Sequence, residues 1–118
     1  MMSVLDEAVM AELLESVGGD SEFLAELVGD FLADAPMQLE TLRQTAASGD
    51  AAGARRAAHT LKGNARTFGA AQLASLCEET EAAAGAGDLD TVLARVDGIE
   101  QEWARVQAAF LVFGDGGA

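Results

Sequence analysis

One cysteine, one histidine, one proline and no tyrosine occur in 118 residues. The lone Cys77 cannot close an intrachain disulfide, and a chain without a disulfide framework fits a reducing compartment, so a cytoplasmic location is expected. With a single His59 there is no Cys/His zinc set, and a di-iron bundle built on two Glu-x-x-His pairs is excluded by count. A metal site would need carboxylates alone. Bases are scarce as well: 7 face 20 acids, for a formal net charge of -13. Such a surface repels phosphates and anionic lipid, so neither nucleic acid nor a membrane is expected as a partner. The N-terminus lacks a basic start and an apolar core, and no uncharged apolar run approaches the roughly 18 residues of a spanning helix.

What remains is helix-forming material. Ala, Leu, Glu, Gln and Arg lose least on entering a helix, and β-branched residues are few. Gly-Asp pairs at Gly19/Asp20, Gly49/Asp50 and Gly87/Asp88 supply a left-handed stop for one helix and an N-cap for the next. With a further stop at Gly69, five helices follow. The first covers about Asp6 to Val17. The second starts after Asp20, where Leu24, Val28, Phe31, Ala35, Leu39, Leu42 and Ala46 keep the 3.6 period across Pro36, favouring one long helix kinked there over two. The third, about Ala51 to Phe68, carries a seam at Ala54, Ala58, Leu61, Ala65 and Phe68. The fourth runs from about Ala70 to Ala84 with Leu73, Leu76, Cys77 and Thr80 in phase. The fifth follows Asp88 with Leu89, Leu93, Val96, Ile99, Trp103, Val106 and Phe110.

Short loops between one-sided helices make neighbours antiparallel. The expected fold is all-α: an up-down antiparallel four-helix bundle with a short additional N-terminal helix, one domain over residues 1–118, with 1–5 and 114–118 poorly ordered. A monomer is expected, and the Met1 start and Gly-rich tail lean towards a free-standing chain.

The charge is distributed unevenly. Between Ala51 and Cys77 there is no acid, yet Arg55, Arg56, Lys62 and Arg66 fall there, four of the seven bases. At about 100° per residue, Arg55, His59, Lys62 and Arg66 form one strip about a third of a turn from the apolar seam; Arg56 points further round. Like charges at i, i+3 and i+4 repel by a few tenths of a kcal/mol, so the strip reads as a site awaiting an external anion. Gly63, one turn after His59, gives up helix stability where Ala would serve, which reads as clearance for a bulky group beside the imidazole. A neutral ring nitrogen is a nucleophile, and a dianion placed on it would find cations at Lys62, Arg55 and Arg66.

Written out, Ala58-His59-Thr60-Leu61-Lys62-Gly63-Asn64-Ala65-Arg66-Thr67-Phe68-Gly69 resembles the histidine-containing phosphotransfer (Hpt) domain. The family pattern of His, any residue, Leu, Lys, Gly and a second Gly at the helix end is met at His59, Leu61, Lys62, Gly63 and Gly69. The likeness extends to Asp34-Ala35-Pro36, the Gly49/Asp50 turn, Leu73 and Cys77; Arg66, Thr67 and Thr80 depart from the usual small or apolar residues. The resemblance implies a phosphocarrier rather than an enzyme complete in itself. His59 would accept a phosphoryl group from the aspartyl phosphate of one receiver domain, in a response regulator or hybrid sensor kinase, and pass it to another. It implies that Lys62 contacts the phosphoryl group, Gly63 gives access, Arg55 and Arg66 bind the acidic receiver mouth, and Gly69 turns the chain. No cofactor is implied for this chain, Mg²⁺ belonging to the receiver.

Other residues have plainer readings. Cys77, Phe31, Phe68, Trp103 and Phe110 are expected in the core, and Glu78, Glu79 and Glu81 are read as solvated acids without a role in the chemistry. Two rival functions are an acidic helical adaptor in which His59 is incidental, and a kinase dimerisation and phosphoacceptor bundle. The second is disfavoured because Thr60 rather than Glu follows His59, with no proline after Pro36.

Overall fold

The chain turns at each Gly-Asp pair named above. In a computed structural model, which describes the backbone of residues 3–116 and the side chains of residues 3–112, five helices form: α1 (Glu7–Ser16), α2 (Ser21–Ala47), α3 (Ala51–Thr67), α4 (Ala71–Gly85) and α5 (Leu89–Gly116). The carboxylates of Asp20, Asp50 and Asp88 accept from the N–H groups of Phe23 (3.0 Å), Gly53 (2.9 Å) and Thr91 (3.2 Å), filling donors that a helix start leaves unpaired. The same dipeptide at Gly29/Asp30 makes no turn. It lies inside α2, where the apolar phase continues through it.

Pro36 stands on the exposed face of a continuous α2, so the helix does not break. Its missing N–H leaves the Leu32 carbonyl without its usual donor, while Phe31, Ala35, Leu39, Leu42 and Ala46 stay buried on the opposite stripe. In α5 the core positions are Val92, Val96, Ile99, Trp103, Val106 and Phe110, stepping by 4, 3, 4, 3 and 4. Leu93, expected inside, is exposed, and Val92, nearer in phase to Val96 and Ile99, takes its place. Thr80 is fully buried and donates its hydroxyl to the Leu76 carbonyl at 2.8 Å, which removes the penalty of a polar group there.

Helices α2 to α5 make the up-down bundle, each packing on its sequence neighbour and α5 closing on α2. At one end Phe31 stacks on Phe68 with centroids 5.0 Å apart, and Trp103 and Phe110 meet Phe31 edge-on. This cluster ties the end of α3 to the two long helices. α1 lies against the same end. Leu5 and Met10 are buried, and the Asp6 N–H donates to the Gly69 carbonyl at 2.8 Å. The expected disorder of residues 1–5 therefore does not extend to Leu5, which that bond draws into the core. The backbone of α5 is helical through Gly116; residues 1, 2, 117 and 118 lie outside the described residues.

Gly69, with φ +72°, makes both the turn and the α1 contact: a Cβ there would lie 3.1 Å from the Asp6 nitrogen and 3.0 Å from the Val9 Cβ. Gly87 has a similar φ of +75° and open space around it. Both Ala substitutions carry the left-handed penalty of about 1–2 kcal/mol, and Gly69→Ala is expected to exceed Gly87→Ala because α1 must also move. Denaturant midpoints of the two variants check the order.

Candidate functional site

The α3 seam buries Ala54, Ala57, Ala58, Leu61 and Ala65, which turns the acid-free strip outward beside α4. His59 is exposed, its side chain retaining 67% of its accessible surface. Lys62 lies lower, at 14%, with its stem against the bundle and its ammonium reaching α4. Gly63 is exposed, and a Cβ added there would meet nothing within 4 Å. The glycine is therefore a clearing next to the imidazole and not a close contact between helices.

Facing the strip, Glu81 of α4 serves two bases. Its Oε2 lies 3.1 Å from His59 Nδ1 and its Oε1 lies 2.7 Å from Lys62 Nζ. Oε1 is buried with no donor aligned on it among the described residues. The ammonium compensates it by charge rather than by a well-directed hydrogen bond. Lys62, followed by His59, holds the Glu81 carboxyl below the usual carboxylate range, against the opposing effect of desolvation. An ionised carboxylate only accepts. His59 Nδ1 therefore donates in this contact, and in the neutral form of the ring the lone pair lies on Nε2. Reading Glu81 as a solvated acid with no part in the site is thus corrected: one turn of α4 after Cys77 brings it across the helix interface. The signal available in the sequence was its place in a helix antiparallel to α3, at a register that spacing alone does not give.

The strip is also less open to an external anion than its sequence suggests. Arg66 Nη2 pairs with Glu78 Oε1 at 3.3 Å, both side chains exposed, and Lys62 is held by Glu81. Acids of α4 thus neutralise two of the four bases, because antiparallel packing lays Glu78 and Glu81 alongside Arg66 and Lys62. Glu79 turns the other way, to Arg95 of α5 at 2.6 Å. Arg55 stays exposed, with its stem over Gly85, where a Cβ would sit 3.7 Å from Arg55 Cδ. Arg56, set aside above, borders the same shallow depression as Arg55, His59, Thr60 and Glu81. Cys77 is fully buried, and desolvation, with the Glu81 charge second, pushes its thiol up to about 12. A thiol so placed packs and does not react. Among the described residues no group of three or more His, Cys, Asp or Glu side chains is arranged to hold a metal ion.

Comparison with known proteins follows the same lines. The family model for the Hpt domain matches residues 26–109. The crystal structure of histidine-containing phosphotransfer protein B (HptB) from Pseudomonas aeruginosa PAO1 is similar over 93% of each chain, with 32% sequence identity and a TM-score of 0.85. A search of curated protein sequences gives no match.

The Glu81 pairings fix an acid-side behaviour. A carboxyl whose folded value lies below its ordinary value of about 4.3 contributes stability that is fully present above that value and is lost as pH falls through the lower, folded value. Glu81→Gln is expected to lower stability at neutral pH by about 1–3 kcal/mol, since it leaves a half-buried ammonium without its counter-charge. It is also expected to flatten the loss of stability below about pH 4. Urea unfolding of both proteins between pH 2 and 7 measures the two effects.

Proposed function

This chain belongs to the Hpt domain family, and on that premise we propose that His59 is the phosphoacceptor of a phosphorelay intermediate, taking a phosphoryl group from one receiver domain and giving it to another. The observation that carries the reading is the state of one ring: exposed, with Nδ1 tied to Glu81 and Nε2 turned away from that tie. In the accepting step the Nε2 lone pair attacks the phosphorus of an aspartyl phosphate. The N–P bond forms as the acyl P–O bond breaks, and the receiver's aspartate departs as carboxylate. In the donating step a second receiver's carboxylate attacks the same phosphorus, and the electrons of the N–P bond return to Nε2. The Nδ1 proton remains on the Glu81 contact throughout, where a carboxylate best supports the positive charge that builds on the ring.

Catalysis is divided between the partners. The receiver supplies the aspartate and the Mg²⁺ that neutralises phosphoryl oxygens, while this chain supplies a positioned nucleophile and cations. Lys62 and His59 meet the same carboxylate, at 2.7 and 3.1 Å, and a dianion on Nε2 would compete with Glu81 for the ammonium. Gly63 leaves the approach open. Arg55 offers its guanidinium to the receiver's acidic mouth directly; Arg66 does so by giving up Glu78. The chain acts as a phosphocarrier and a monomer, in the cytoplasm, and no helix among the described residues is long and apolar enough to cross a membrane.

His59→Gln is expected to abolish labelling by a receiver domain carrying ³²P on its aspartate, with stability within about 0.5 kcal/mol of the parent. Labelling that survives the substitution would overturn the assignment; an unlabelled parent would favour the adaptor reading. Gly63→Ala separates access from folding. Because the added methyl meets open space, the variant is expected to gain about 0.5–1 kcal/mol of stability, while transfer slows on the order of ten- to a hundredfold from the displaced approach. Thermal melts and rapid-quench transfer assays give the two numbers.

A further inference from the structure

Seven bases occur in the chain, and among the described residues five have a carboxylate within ion-pairing distance: Arg43 with Asp97 and Glu100, Lys62 with Glu81, Arg66 with Glu78, Arg95 with Glu79, and Arg105 with Glu102. The two others are Arg55 and Arg56. Both are exposed, and both line the depression that contains His59. Acids outnumber bases by nearly three to one, so unpaired guanidinium groups at adjacent positions are not the result of a shortage of carboxylates.

Their directions differ. At about 100° per residue, Arg55 lies about 40° from His59 on one side of α3 and Arg56 about 60° on the other, so the two bracket the imidazole. Arg55 leans towards α4, where Gly85 leaves room for its stem and Lys62, Glu78 and Glu81 share its neighbourhood. Arg56 projects on the flank that also holds Gly63. The positive charge open to a partner therefore lies on the N-terminal side of the imidazole. On the C-terminal side Arg66 is occupied by Glu78, whose own negative charge would meet an approaching acidic surface.

We infer that Arg55 and Arg56 together form the docking and specificity determinant for the acidic rim of a receiver domain, orienting that rim over the first half of α3 and the end of α4 rather than over Arg66. The inference rests on the phosphorelay reading of His59 and extends it to the partner's placement. Charge complementarity selects the occupant: the carboxylates around a phosphorylated, Mg²⁺-holding aspartate are the anionic surface that must come within bonding distance of Nε2. A second copy of this chain, at -13, is repelled. Exposed, unpaired charges of this kind act on the rate of encounter more than on the lifetime of the complex, and their effect fades with salt.

The test uses receiver domains phosphorylated by acetyl phosphate with Mg²⁺, with transfer to the full chain followed by rapid quench at ionic strengths from about 20 to 500 mM. Arg55→Ala/Arg56→Ala is expected to lower the second-order transfer rate about tenfold at low salt and to flatten its salt dependence, leaving the rate at saturating receiver within about twofold. Arg66→Ala is expected to lower the low-salt rate less than the pair does, since Glu78 already occupies its guanidinium, and Arg55→Lys/Arg56→Lys is expected to keep the salt dependence. Parental rate and salt slope in the double Ala variant would overturn the inference, as would a loss in Arg66→Ala equal to or larger than that of the pair. His59→Gln runs in parallel. Labelling that persists in it, or a parent that no receiver labels, removes the phosphorelay reading and this inference with it, whereas a His59-dependent parent with an indifferent Arg pair removes the inference alone.

Discussion

Glu81 joins the packing of two helices to the chemical state of one exposed ring. Its carboxylate meets Lys62 at 2.7 Å and His59 Nδ1 at 3.1 Å, so the register of α4 against α3 determines which imidazole nitrogen is free. A shift by one residue would turn Glu81 away by about 100°. It would leave Lys62 half-buried without a counter-charge and the imidazole without an orienting acceptor. The buried face of α4 prevents that shift: Leu73, Ala74, Cys77, Thr80 and Ala84 are all in the interior, and Thr80 closes its own hydroxyl on the Leu76 carbonyl. Core packing and the orientation of the imidazole are thus one constraint.

The same arrangement divides the bases into two kinds. Lys62 and Arg66 reach across to carboxylates of α4, so in the proposed role each would meet a phosphoryl group or a partner only in exchange for a carboxylate already in hand. Arg55 and Arg56 have no such tie among the described residues and in the proposed docking would act at a distance. Under the proposed phosphotransfer role such an exchange would suit a group that comes and goes: a dianion on His59 would draw Lys62 from Glu81, and the internal pair would re-form on its departure. Steering requires the opposite, a charge with no competing claim.

Much of the fold was legible because its signals are local. Gly-Asp turns, a 3.6-residue apolar phase and capping aspartates act within a few residues, and all five helices follow from them. Pro36 does not divide α2 because the apolar stripe continues beyond it on the opposite face. Leu93 was misplaced for a related reason: Val92 and Leu93 are adjacent apolar residues, and only the packed partner chooses between two neighbouring phases. His59, Lys62 and Gly63 stand out by sequence spacing on one helix. Glu81, Glu78 and the availability of Arg56 do not, since each depends on how α4 lies against α3, a relation between residues some 12 to 26 positions apart that no local pattern records.

Small side chains set that relation. Where α3 faces its neighbours the residues are Ala54, Ala57, Ala58 and Ala65 around a single Leu61, and α4 answers with Ala74, Cys77, Thr80 and Ala84 around a single Leu73. Helices that meet through methyl groups approach towards the short end of the usual 8–10 Å separation. Such an approach suits the observed reach of one glutamate on α4 to a lysine and a histidine on α3. Larger residues in the seam would bury more apolar surface and add stability, but they would also carry α4 outward beyond the reach of a three-bond side chain. The alanine content is therefore a condition of the site as well as of the bundle: it gives up hydrophobic burial between α3 and α4 to keep one carboxylate within hydrogen-bonding range of an exposed ring. The aromatic cluster of Phe31, Phe68, Trp103 and Phe110 at the far end of α3 supplies the bulk that this part of the core lacks.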